Sequence, residues 1–98
     1  MTLTQFIALA EQSQPPEGLS PALLALWHDR RGDWEAAHGV AQDIDSPDGA
    51  WIHAYLHRKE GDAANAGYWY RRARQPQSRD SLEAEWSAIA TALLAEAP

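Results

Sequence analysis

Cysteine is absent, which excludes disulfides and thiolate metal ligands and makes a reducing, cytoplasmic setting the simpler expectation. Val, Ile, Thr and Phe, the residues that suit strands, are scarce. No stretch approaches the roughly 20 apolar residues that a membrane span requires. The opening MTLTQFIALAEQ lacks a basic start and a long apolar run, so a signal peptide is not expected. Neither a Gly-x-Ser-x-Gly elbow nor a phosphate loop is present, and no nucleophile is positioned. The expectation leans away from an enzyme, and no cofactor is predicted.

What remains is a 98-residue chain whose apolar share is mostly Ala and Leu, a composition that favours helices and one domain spanning residues 1–98. Its net charge of −6 is unevenly spread. Residues 1–49 carry two bases against eight acids, residues 50–79 carry six bases against two acids, and residues 80–98 carry four acids and no base. The acidic total argues against a general nucleic-acid partner, while the basic middle third keeps an anionic ligand in view.

Punctuation and periodicity give six helices. Thr2 and Gln5 have capping-box spacing ahead of a helix from Leu3 to about Ser13, with Leu3, Phe6, Ile7 and Ala10 on one face. Ser20-Pro21 opens a second helix, with Leu23, Leu24, Leu26 and Trp27 as its buried stripe and Gly32 as its stop. Asp33 caps a third helix carrying Trp34, Ala37, Val40, Ala41 and Ile44. A fourth runs from about Asp48 to Glu60 and a fifth from Ala63 to about Arg74, separated by Gly61-Asp62. Asp80 and Glu83 suggest a capping box for a sixth, whose face is Leu82, Trp86, Ile89 and Leu93.

A shift of 29 residues overlays the middle of the chain on itself. Ala25, His28, Gly32, Asp33 and Ala37 fall on Ala54, His57, Gly61, Asp62 and Ala66. Small residues at matched helix positions and a Gly-Asp turn are what stacked antiparallel helix pairs need. The segment Gly32-Asp33-Trp34-Glu35-Ala36-Ala37, and Gly61-Asp62 followed by Ala66, Tyr68, Trp69, Tyr70 and Ala73, resemble the turn and second helix of the tetratricopeptide and Sel1-like families. The resemblance covers about residues 20–75. It implies an all-α fold with two tetratricopeptide-like hairpins and capping helices at each end. The period is shorter than the usual ~34, and two units are fewer than the roughly three a stable array needs. The Ala54-Tyr55-Leu56-His57-Arg58-Lys59-Glu60-Gly61-Asp62 segment also looks like that of a group of small bacterial all-helical proteins, a resemblance that implies a fold and no activity.

The repeat sorts the polar residues. His28 and His57 are equivalent, so both are expected to serve the hairpin, bonding a turn carbonyl or the Asp that opens the next helix. His53 falls opposite Leu24 and His38 opposite Gly67, so the repeat explains neither. His53 and His57 lie four apart on one helical face, with Glu60 a turn further on. That spacing can hold a divalent metal, with His28 or His38 completing the site. Trp51, Tyr55, Tyr68 and Tyr70 form a surplus of aromatics beside Arg71, and Arg71, Arg72, Arg74 and Arg79 could hold a phosphate or an acidic peptide.

The leading expectation is a small non-enzymatic binding or assembly module for a protein or peptide partner. Its surface would be built from Trp51, His53, Tyr55, His57, Tyr68, Tyr70 and Arg71, with a homodimer plausible because two units leave little core. The alternative is a His-dependent enzyme or metal-binding protein using His53, His57 and Glu60.

Overall fold

In the computed structural model, which describes residues 1–96, the chain forms six helices and, among the described residues, no strand. They are α1 (Leu3–Leu9), α2 (Pro21–Arg30), α3 (Trp34–Gln42), α4 (Pro47–Lys59), α5 (Ala63–Ala73) and α6 (Leu82–Glu96). The expected all-α class with six helices is observed. α2 packs on α3 and α4 on α5, each pair joined by three residues, and α4 also meets α2, α3 and α6. Connections that short make the paired helices antiparallel.

The two turns are built alike. Gly32 and Gly61 take φ of +84° and +90°, values that a side chain would strain. Asp33 and Asp62 then cap α3 and α5, accepting from the amides of Ala36 and Asn65 at 3.1 and 3.2 Å. Their own amides donate back to the carbonyls of His28 and His57 at 3.0 and 2.9 Å. Among the described residues neither imidazole bonds a turn carbonyl or the capping Asp, the role expected of it; His57 bonds the Glu60 side chain instead.

Three differences from the expected elements have local causes. α1 stops at Leu9, well before Ser13, with Ala10 as its cap. α6 is capped by Ser81, whose hydroxyl accepts from the Ala84 amide at 3.0 Å. Glu83 instead takes Arg30 at 2.9 and 3.1 Å, so the Asp80–Glu83 box does not form. Ile44 lies beyond the end of α3, and Leu82 is exposed at the start of α6.

One core joins α1, α2, α3, α4 and α6. Trp86 of α6 is its anchor, 2 % exposed and stacked on Phe6 at 5.6 Å. Burying about 150–250 Å² of indole contributes at most about 4–6 kcal/mol. The core indoles also find acceptors: Trp27, Trp34 and Trp86 donate to the carbonyls of Leu9, Leu56 and Leu26 at 2.8, 2.8 and 3.1 Å. A smaller cluster of Ala54, Ala66 and Tyr70, flanked by Trp51 and Trp69, joins α4 to α5. The small residues at the crossing let these two helices approach closely. No helix is long and apolar enough to cross a membrane among the described residues.

Candidate metal centre

α4 is buried without interruption from Ile52 to His57, so polar side chains on this stretch must face neighbouring helices. His53 and His57 are 6 % and 7 % exposed. Their four-residue spacing turns both rings towards the second helix of the first hairpin, where His38 projects from α3. One ligand atom from each of His38, His53 and His57 lies within 4.8 Å of the others. The site therefore sits on the joint between the two hairpins.

The rings are held individually. The Nε2 atoms of His38 and His53 are 2.9 Å apart, so one ring donates to the other. Trp34 stacks on His38 at 4.8 Å and Trp69 on His53 at 4.0 Å, both nearly parallel. His57 stacks on His53 at 4.7 Å. Its Nδ1 is 2.7 Å from Glu60 Oε1. A carboxylate accepts, so Nδ1 carries a proton, and Nε2 lies 3.4 Å from the Asn65 amide nitrogen. A carboxylate behind a histidine is the usual support for a ligating imidazole, fixing its tautomer and raising its basicity.

The electrostatics keep two of these rings neutral. Burial is the largest cause that pushes His53 down to about 4, with His38 and His57 adding to it. Burial also lowers His38, followed by His57, while Glu60 opposes. At neutral pH both rings are uncharged, the form that binds a metal ion. Two nitrogens on a tetrahedral zinc stand about 3.3 Å apart when each Zn–N bond is about 2.0–2.1 Å. The 2.9 Å His38–His53 pair thus needs to open by a few tenths of an ångström, losing its shared proton as it does so, and the His57 nitrogen, within 4.8 Å of the others, has to settle at the same spacing.

The cluster rearranges the expected site. His38 supplies the third imidazole, and His28 is elsewhere, half-buried and edge-on to Trp27 at 5.1 Å. Glu60 and Asp62 could form a second ligand set with His57. Asp62, however, is engaged as the α5 cap, and Glu60 occupies the outer nitrogen of His57. The three-His set is the more complete one.

The broad aromatic surface is corrected by the structure. Tyr55 and Tyr70 are each 2 % exposed and face inward, where they donate to buried carboxylates. Tyr55 bonds Asp29 at 2.9 Å, and Asp29 also takes Lys59 at 2.8 Å. Tyr70 bonds both oxygens of Glu85 at 2.8 and 2.6 Å, and Glu85 also takes Arg58 at 2.8 Å. Burial above all, and then the carboxylate partners, push both phenols above their ordinary range. Trp51 is half-buried and Arg71 exposed. Tyr68 is 44 % exposed and accepts from Arg72 at 3.0 Å. The seven residues expected on one surface are therefore divided between the imidazole cluster, the interior and the outside of α5.

Sequence reasoning left open whether His38 or His28 completed the trio, and it missed the buried acids Asp29 and Glu85. The signal for His38 was its lack of a counterpart in the second unit. No protein family matches the sequence, and no curated protein and no solved structure matches it.

Proposed function

We propose that this protein is a small, non-enzymatic helical-repeat-like module that binds one divalent late-transition-metal ion, zinc or nickel, through His38, His53 and His57. The observation that carries this reading is the convergence of three imidazole nitrogens from two hairpins, with Glu60 placed behind one of them. Imidazole suits zinc, nickel and copper better than magnesium or calcium. His38 comes from α3 and His53 and His57 from α4, so the ion pins one tetratricopeptide-like unit to the other. A pinned joint supports a role as a binding or assembly part in a reducing, cytoplasmic setting, where a cysteine-free site is insensitive to oxidation.

Isothermal titration of the metal-free protein with Zn²⁺ and Ni²⁺ tests this reading. One ion per chain is expected, with binding lost in His38→Ala and His53→Ala and retained in His28→Ala. Heat no greater than that of a His38→Ala/His53→Ala double variant would end it.

A second reading is a metal-independent module that docks a protein or peptide partner, or a second copy, through the outer face of α5. It is supported by the exposure of Tyr68 beneath Arg72, 5.8 Å from the ring centre. It predicts that Tyr68→Ala changes the sedimentation of the protein or its complex while leaving metal uptake intact.

A further inference from the structure

Away from the imidazoles, a groove of about 460 Å³ runs between the loop before α4 and the outer side of α5. Ile44, Pro47 and Trp69 give it apolar walls, and Arg72, Arg74 and Asp45 give it charge. Its size falls within the range of pockets that hold small organic ligands.

Two features set it apart from an ordinary surface cleft. Arg74 has φ +58° and ψ +38°, the left-handed conformation at the end of α5. Helices that end this way usually place Gly there, because a Cβ is strained. The chain instead keeps an arginine at the position, and among the described residues its guanidinium has no carboxylate partner. Arg72 is held in place. Its guanidinium lies 5.1 Å from the Trp69 ring centre and donates one N–H to the Tyr68 hydroxyl, leaving others free. A guanidinium already stacked and oriented loses less freedom when it takes an anion.

We propose that this groove binds a small organic monocarboxylate, with its apolar body against Trp69, Ile44 and Pro47 and its carboxylate on Arg72 and Arg74. Asp45 shares the groove with the two guanidiniums and leaves a net positive charge, which a single carboxylate neutralises. The proposal is independent of the metal centre, although Trp69 is shared, since it also stacks on His53.

The test uses metal-free protein and three probes: 2-naphthoate, its neutral analogue 2-naphthalenemethanol, and inorganic phosphate. Binding is followed by NMR at the Trp69 indole N–H and the Arg72 Nε–H. Naphthoate is expected to saturate with shifts at both groups, at least about tenfold more tightly than the alcohol. Phosphate, which carries charge but no apolar body, is expected to bind at least about tenfold more weakly than naphthoate. Arg74→Gly should keep or raise the melting temperature, because Gly relieves the left-handed strain, while weakening naphthoate about tenfold. Asp45→Asn, which removes the negative neighbour, should tighten naphthoate. Equal affinity for acid and alcohol, unchanged naphthoate affinity in Arg74→Gly, or no saturation at Trp69 would each overturn the proposal.

Discussion

The two hairpins share a turn and differ in what they attach to it. Gly32-Asp33 and Gly61-Asp62 have nearly the same dihedrals, caps and backbone bonds. Yet His28, one turn before the first Gly, is half-buried against Trp27, whereas His57, at the matching position, belongs to a triad of imidazoles. The neighbours explain the difference. Where the second unit places Glu60 and Asn65 beside His57, the first has Arg31 and Ala36 at the matching positions. Arg31 goes elsewhere, donating to the Ala10 carbonyl at 2.8 Å. One imidazole has a supporting carboxylate and the other does not. The same backbone thus carries a clustered imidazole in one unit and a packing group in the other.

The units also differ in how they are tied to α6. The first is closed by a buried indole on a carbonyl, Trp86 to Leu26, with only an exposed ion pair, Arg30 to Glu83, beside it. The second is closed by charge: Tyr70 and Arg58 converge on Glu85, which is 3 % exposed, and Arg58 also donates to the Asp80 carbonyl. The largest predicted effect breaks this tie. Glu85→Ala leaves the Tyr70 phenol without its acceptor and the Arg58 guanidinium with only the Asp80 carbonyl, and should cost about 3–5 kcal/mol in urea unfolding. A loss below about 1 kcal/mol would mean that water replaces the carboxylate freely.

The next prediction sharpens the contrast between His28 and His57. Glu60→Gln removes the carboxylate but keeps an acceptor at the same place, and should weaken zinc about 10–100-fold by titration. Arg31→Ala, at the matching position of the first unit, should leave zinc affinity unchanged.

Acidification acts on the joint between the units. His53 is held down to about 4, whereas the unfolded chain titrates near 6.5. Between those values the unfolded state binds more protons, so stability falls as pH drops through that window and is insensitive to this group above it. His38, also lowered, acts in the same sense. His53→Leu installs the residue that the first unit has at Leu24 and should flatten part of the slope between about pH 6.5 and 5, above the usual carboxylate range. Equal slopes for the two proteins in chemical unfolding would contradict the burial argument.

The smallest effect tests the likeness of the turns. Asp33→Ala and Asp62→Ala each remove one helix cap and should cost about 0.5–2 kcal/mol. Similar losses would mark the turns as energetically matched, and a loss confined to one would separate them.

Much of the fold was legible in the sequence because caps and breakers act locally. Thr2 with Gln5, Ser20-Pro21, Asp33 and Asp62 all start helices as their side chains suggest. Ser81 displaced Asp80 because two adjacent residues could cap and the packing of α6 chose between them. Tyr55 and Tyr70 were harder. As aromatics in a basic segment they suggest a surface, yet their counterparts in the first unit, Leu26 and Ala41, are core residues. The repeat held that information, but the phenol hydroxyls needed Asp29 and Glu85, which are 26 and 15 residues away, before burial became favourable. The same limit applied at the imidazole cluster. The spacing of His53 and His57 showed a shared face. Which third group met that face depended on how α3 packs on α4, and periodicity within a helix carries no such information.

The most direct test is a long-range ¹H–¹⁵N spectrum of the histidine rings with and without one equivalent of zinc at neutral pH. Three rings should move to metal-bound nitrogen shifts, His38 and His53 through Nε2 and His57 through Nε2 with Nδ1 still protonated, while His28 is unchanged. Four unmoved rings, or a change confined to His57 with Glu60, would contradict a three-imidazole centre at the joint of the two hairpins.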